Sequence, residues 1–196
     1  ENADLVLDGI DFFQVDARRL LYARAREIGL RVVCAGPIGY GASLHVFDPD
    51  GMSFDEYFGI TPAMTRAERI AAFGQGLVPG LPRSATMDPS RVDFERERGP
   101  ALISSVMLCG GLAVTEAIRI LLGRGGAQSV PRSYYFDPYA REYVRGESKR
   151  GGWRDRLVRW LAMRRYPSLL RLHRSERRGT RTQEPASGRA GEGGRG

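Results

Sequence analysis

The chain has 196 residues, 42% hydrophobic and 27% charged, which is long enough for one domain with its own core and excludes a disordered or fibrous class. The net charge of +7 is uneven: residues 148–196 hold 14 Lys/Arg against 4 Asp/Glu, a net of +10, leaving −3 for residues 1–147. Only two cysteines occur, Cys34 and Cys109, with no CxxC pair, which excludes a disulfide framework and a cysteine zinc site and points to a reducing compartment, the cytoplasm.

Ala3–Asp8 is an apolar run that reads as a buried strand of a parallel sheet. The opening segment Ala3–Phe13 carries two carboxylates three residues apart, Asp8 and Asp11, where open α/β sheets bind nucleotides and metals. A chain opening on such a strand is expected to be the second half of a longer nucleotide-binding domain. Asp16–Ile28 reads as a helix with Leu20, Leu21 and Ala25 facing inward and Arg18, Arg19, Arg24 and Arg26 facing water. Gly29 is placed to end it in the left-handed conformation. Leu30–Ala35 is the next strand, and a strand–helix–strand order implies a right-handed parallel crossover. The glycine-rich stretch Gly36–Gly41 reads as a turn into an antiparallel strand, Ser43–Phe47. Joining two strands, it lacks the helix N-terminus that a phosphate loop needs.

Residues 48–100 are rich in Pro, Gly and charge and read as a long excursion with one helix near Thr65–Gly76. Pro100–Leu122 predicts a long apolar helix whose Gly110, Gly111 and Ala113 permit close backbone approach, stopped by Gly123. No uninterrupted run of 18 apolar residues occurs. Ser133–Asp137 and Arg141–Arg145 predict a hairpin around Asp137-Pro138-Tyr139. Residues 148–176 form a basic helical tail, with Trp153, Leu157, Trp160 and Leu161 on one face and arginines supplying most of the rest. Over Trp153–Arg165 that pattern fits either an anionic membrane surface, which would make the protein peripheral at the inner membrane face, or docking on the domain. Nucleic acid is a third partner the charge allows. Residues 177–196, and the stretch after Arg174 generally, are expected to be disordered.

Of the residues able to carry chemistry, Asp8 and Asp11 stand at the strand's end, where a carboxylate suits Mg²⁺, which takes one or two carboxylates plus water and phosphate oxygens, and Asp11 lies at the turn into the helix. The same residue at a strand–helix turn also serves as a helix cap, so both roles stay open. Asp8 reads as structural. Cys34 and Cys109 read as core thiols, and neither His45 nor His173 has a metal-ligand partner at useful spacing.

These residues resemble the ThiF/MoeB/HesA family of bacterial relatives of ubiquitin-activating enzymes. The resemblance rests on an ordered set: Asp8-Gly9-Ile10-Asp11, Arg18, the strand VVCAGPIGYGASLHVF, Thr115-Glu116-Ala117-Ile118-Arg119 in a helix end, and Tyr135-Phe136-Asp137 through Arg145. It runs over roughly residues 3 to 146. It implies a Rossmann-like three-layer α/β fold with a mixed sheet and antiparallel C-terminal strands, and an N-terminal nucleotide-binding half absent from this chain. It also implies ATP and Mg²⁺ as cofactors, Asp11 on the metal, Ile10 beside the adenine, adenylation of the C-terminal carboxylate of a ubiquitin-like sulfur-carrier protein, and a homodimer. The G-x-G-x-x-G loop is absent, and no Cys lies in the crossing segment 48–100, so a thioester role is not implied. A dinucleotide-binding oxidoreductase and a non-catalytic relative of the fold are the alternatives.

Overall fold

A computed structural model describes residues 3–78, 91–100, 102–126, 128–147, 161, 164 and 166–182. Five strands, β1 (Val6–Asp8), β2 (Val32–Ile38), β3 (Gly41–Phe47), β4 (Arg132–Asp137) and β5 (Glu142–Glu147), form one sheet in the order β1-β2-β3-β4-β5. The β1–β2 pair is parallel, with Asp8 opposite Cys34, and the other three pairs are antiparallel. Helices α1 (Val15–Glu27), α2 (Phe54–Phe58), α3 (Arg66–Gly76) and α5 (Pro167–Thr182) contribute to the larger apolar cluster, while α4 (Ile103–Leu121) packs on β2 and β3 in the smaller one. The result is the Rossmann-like α/β architecture with antiparallel C-terminal strands that the sequence implies.

Local chemistry accounts for the boundaries. Gly29 (φ 75°) ends α1: its N–H donates to Arg26 O and the next N–H, of Leu30, to Ala25 O, a Schellman pair. Gly123 (φ 60°) repeats the device after α4, with Gly123 and Arg124 donating to Ile120 O and Arg119 O. The described stretch 48–78 of the excursion holds more order than expected. Ser53 and Glu56 form a reciprocal capping box that starts α2, and Thr65 with Glu68 does the same for α3. The Gly36–Gly41 turn is tighter than expected, since pairing continues through Gly36, Pro37 and Ile38 and only Gly39 and Tyr40 turn the chain.

Four further expectations are corrected. On α1, Arg18 is buried and Leu20 is 75% exposed, because the buried side follows Val15, Arg18, Tyr22 and Ala25. Among the described residues nothing approaches Gly110 or Gly111: a Cβ on either meets no atom within 4 Å. Helix α4 is long and apolar enough to cross a membrane, a property the run criterion passed over because Ser104, Ser105, Thr115 and Glu116 interrupt it. The stretch after Arg174 is helical as far as Thr182, held by Leu169 and Leu172 in the core cluster. Trp153, Leu157 and Trp160 lie outside the described residues, as does 183–196.

Candidate nucleotide-facing site

The turn Asp8-Gly9-Ile10-Asp11 leaves the carboxyl end of β1 and enters α1, and a single buried side chain shapes it. Arg18, one turn into α1, spreads its guanidinium over three acceptors. Nε donates to Asp8 Oδ2 (2.9 Å), Nη1 to the Asp11 carbonyl (2.6 Å) and Nη2 to the Ile10 carbonyl. Its carbon Cζ lies 4.6 Å from the centre of the Phe73 ring. Five donors in a rigid fork are what let one residue serve so many acceptors.

Asp8 is fully committed. Its Oδ1 accepts the Ile10 N–H (2.9 Å), and Oδ2 accepts from Arg18 and from the Tyr22 hydroxyl (2.8 Å). Its side chain is 0% exposed. Cys34, opposite Asp8 in the ladder, is buried, and burial together with the nearby Asp8 carboxylate pushes its thiol up to about 12. Burial also raises Tyr22 well above its ordinary range, with Cys34 and Asp8 adding to the effect. Cys109 rises to about 11 through burial. Both thiols are therefore neutral core groups, as the sequence indicates.

Asp11 has a different setting. It is exposed, and its Oδ1 accepts the Phe13 N–H (2.9 Å) in an Asx turn, while the helix N-cap itself is Gln14, with no side-chain cap. The capping role weighed for Asp11 is thus limited to that turn. Among the described residues, Asp11 Oδ2 makes no hydrogen bond, and no group of three or more His, Cys, Asp or Glu gathers there. Ile10 is half-buried beside it. A single outward carboxylate fits Mg²⁺ only as one protein ligand, with water and phosphate oxygens supplying the rest.

The residues after Asp11 are buttressed. Phe12 packs on Phe13 and Phe73, with Gly74 giving it room. Phe13 meets Phe94 edge-to-face (5.8 Å), and Phe94 in turn meets Tyr166 at the head of α5 (5.4 Å). Gln14 donates to Glu97 (2.6 Å), which also pairs with Arg66. Helix α5 grips the same limb and α3: Ser168 Oγ donates to Val92 O (3.0 Å), Arg171 pairs with Glu95 (3.1 Å), and Glu176 accepts the Ala67 N–H (3.1 Å). Sequence reasoning missed this buttress. The i, i+3, i+7 spacing of Leu169, Leu172 and Glu176 was the signal that could have revealed it. A cleft between Arg19, Tyr22, Arg26, Phe47 and Asp55 lies toward the opposite end of α1, and its two arginines are already engaged by Asp55 and the Gly51 carbonyl.

The parallel β1–α1–β2 unit, with a clamped acidic turn at the strand's end, defines an α/β protein of the Rossmann-like type. More narrowly, the chain belongs to the ThiF family, whose sequence model matches residues 1–150. Among solved structures it is similar to the crystal structure of PaaA, with 12% identity and a TM-score of 0.42 over 73% of this chain and 41% of that one. The chain therefore spans less than half the length of that protein. No curated protein sequence matches it.

Proposed function

We propose that this chain supplies the metal-facing strand end of an ATP-dependent adenylyltransferase that activates the C-terminal carboxylate of a ubiquitin-like or sulfur-carrier protein. One observation carries the reading. Arg18 and Asp8 spend a buried ion pair on fixing two backbone carbonyls, and the residue so positioned, Asp11, keeps a carboxylate oxygen turned to solvent. A buried pair of this kind adds little net stability, so its value lies in the geometry that it holds.

In the reaction, a carboxylate oxygen of the carrier attacks the α-phosphorus of ATP, and the bond from that phosphorus to the bridging oxygen breaks, releasing pyrophosphate. Mg²⁺, when bound, neutralises the charge on the phosphate oxygens. Asp11 would hold the metal through its free oxygen. Ile10 offers an apolar contact for the adenine. Arg18 is a positioning residue: it touches no substrate, but holds the carbonyls of Ile10 and Asp11 still. Cys34 and Cys109, buried and neutral, take no part.

ATP–pyrophosphate exchange on the full-length protein, with a Gly-Gly-terminated carrier, tests this. Asp11→Asn is expected to abolish exchange while leaving the melting temperature unchanged, since the Asx turn survives the amide. Exchange that persists undiminished in Asp11→Asn removes the metal role, and wild-type protein inactive with every such carrier removes adenylation.

A further inference from the structure

The cleft toward the C-terminal end of α1 holds about 180 Å³ and opens to solvent. Three rings build its floor. Tyr22 meets Phe47 edge-to-face (4.9 Å) and lies against Phe54 (4.6 Å), while Leu30 and Met52 extend the apolar wall. The Tyr22 hydroxyl donates to Asp8 (2.8 Å), so the ring is tethered from behind. On the other side the Ser53–Glu56 capping box fixes the start of α2. A space walled in this way is pre-formed, as small-molecule sites usually are. For scale, an apolar cavity of about 150 Å³ holds one benzene ring.

Charge at the mouth selects among apolar guests. Asp55 is taken by Arg19 through two hydrogen bonds (2.8 and 2.7 Å), and Asp48 by Arg31 (2.8 Å), so these four groups cancel in pairs. Arg26 is left over. Among the described residues it forms no ion pair and makes one hydrogen bond, from Nη1 to Gly51 O (2.7 Å). Glu56, whose carboxylate it influences, is spent on the N–H (2.8 Å) and hydroxyl (2.7 Å) of Ser53. A guanidinium carries five donors, so most of the Arg26 fork is available to a guest. A carboxylate matches that fork in plane and charge. The three-ring floor favours an aromatic body, which gains edge and face contacts beyond the area it buries.

We propose that this cleft binds a free monocyclic aryl carboxylate, with its ring on Tyr22, Phe47 and Phe54 and its carboxylate on Arg26. The inference is independent of the chemistry at Asp11. An acid of about eleven non-hydrogen atoms is expected to bind with Kd on the order of 0.1 to 1 mM.

The test titrates 3-phenylpropionate into the full chain with isotope-labelled methionine methyls, followed by NMR. Met52, in the cleft wall, should shift and saturate, because a bound ring lies against it. Met107, exposed on α4 at the other face of the sheet, should stay still. Arg26→Gln should weaken binding roughly ten-fold, and so should replacing the acid by its amide. Ala23 is exposed at the edge of the cleft, so Ala23→Phe should fill the space and abolish binding without changing the circular dichroism spectrum. An amide that binds as well as the acid, or Arg26→Gln that binds as well as wild type, overturns the proposal. So does a Met107 shift as large as that of Met52, or a titration that does not saturate below about 10 mM.

Discussion

Arg18→Met tests the clamp on the candidate site most directly. The substitution keeps an apolar stem over Phe73 and removes the charge. It leaves Asp8, whose side chain is 0% exposed, with only the Ile10 N–H and the Tyr22 hydroxyl for partners. Two backbone carbonyls, of Ile10 and Asp11, lose their donor as well. Breaking a buried ion pair from one side costs about 3–5 kcal/mol, because a charge stays behind without compensation. Against a total of about 5–15 kcal/mol this is a severe loss. With a urea m-value of about 2 kcal/mol per molar, the unfolding midpoint should fall by about 2 M. Asp8→Asn in the same chain removes the orphaned charge, so in that background Arg18→Met should cost about 2 kcal/mol less than it does alone. Urea unfolding followed by circular dichroism for the two singles and the double closes this cycle. A cost below about 1 kcal/mol for Arg18→Met, or strict additivity, would place the pair among screened surface bridges and refute the clamp.

Alkaline stability follows from the buried acids. Cys34 and Tyr22 are raised in the folded chain, so the fold favours their neutral forms. Unfolded thiols ionise near pH 8.5 while folded Cys34 does not until about 12, so this contribution is full below about pH 8.5 and lost progressively toward pH 12. Melting temperatures from pH 7 to 11 should decline accordingly, and a flat profile would contradict the assignment. Ser53→Ala removes both the side-chain acceptor for Glu56 N–H and the hydroxyl that bonds Glu56, and is expected to cost about 1 kcal/mol in chemical denaturation. Gly76→Ala would place a Cβ 2.1 Å from Phe58 Cδ1, an overpacked contact expected to cost about 1–3 kcal/mol; a melting temperature equal to wild type would show that the ring yields freely.

Much of the frame was legible because it rests on short-range rules. Gly29 and Gly123 end their helices as their positions foretell, and alternation and turn residues locate β3, β4 and β5. The errors share a cause, which is that pairing over distance overrides local hydropathy. Arg18 reads as a solvent residue until Asp8 is folded against it, and with Val15, Arg18, Tyr22 and Ala25 turned inward Leu20 faces solvent. The α2 cap was readable in Ser53-x-x-Glu56 but lay inside a stretch whose composition argued for a loop. Helix α5 is masked by its charge, because only the contacts of Arg171 with Glu95, Arg177 with Glu68, His173 with Thr65 and Glu176 with the Ala67 N–H reveal where its polar side chains go. At the site, Asp11 stands at the strand end as expected and Asp8 is structural as read, whereas the donors that commit Asp8, from Ile10, Arg18 and Tyr22, become visible only in the fold.

The ring contacts from Phe13 to Phe94 and from Phe94 to Tyr166 join three stretches of chain far apart in sequence. During synthesis the first of them leaves the ribosome well before the last, at about 5–20 residues per second. The β1–α1–β2 unit, with Arg18 and Asp8 both inside it, is local and can form early. The outermost part of its brace, Tyr166 and α5, comes from beyond the residues 1–150 that the family model matches. A nascent chain therefore holds the acidic turn before it holds the whole wall behind it, and the packing behind Phe13 is completed only once Tyr166 and α5 have been made.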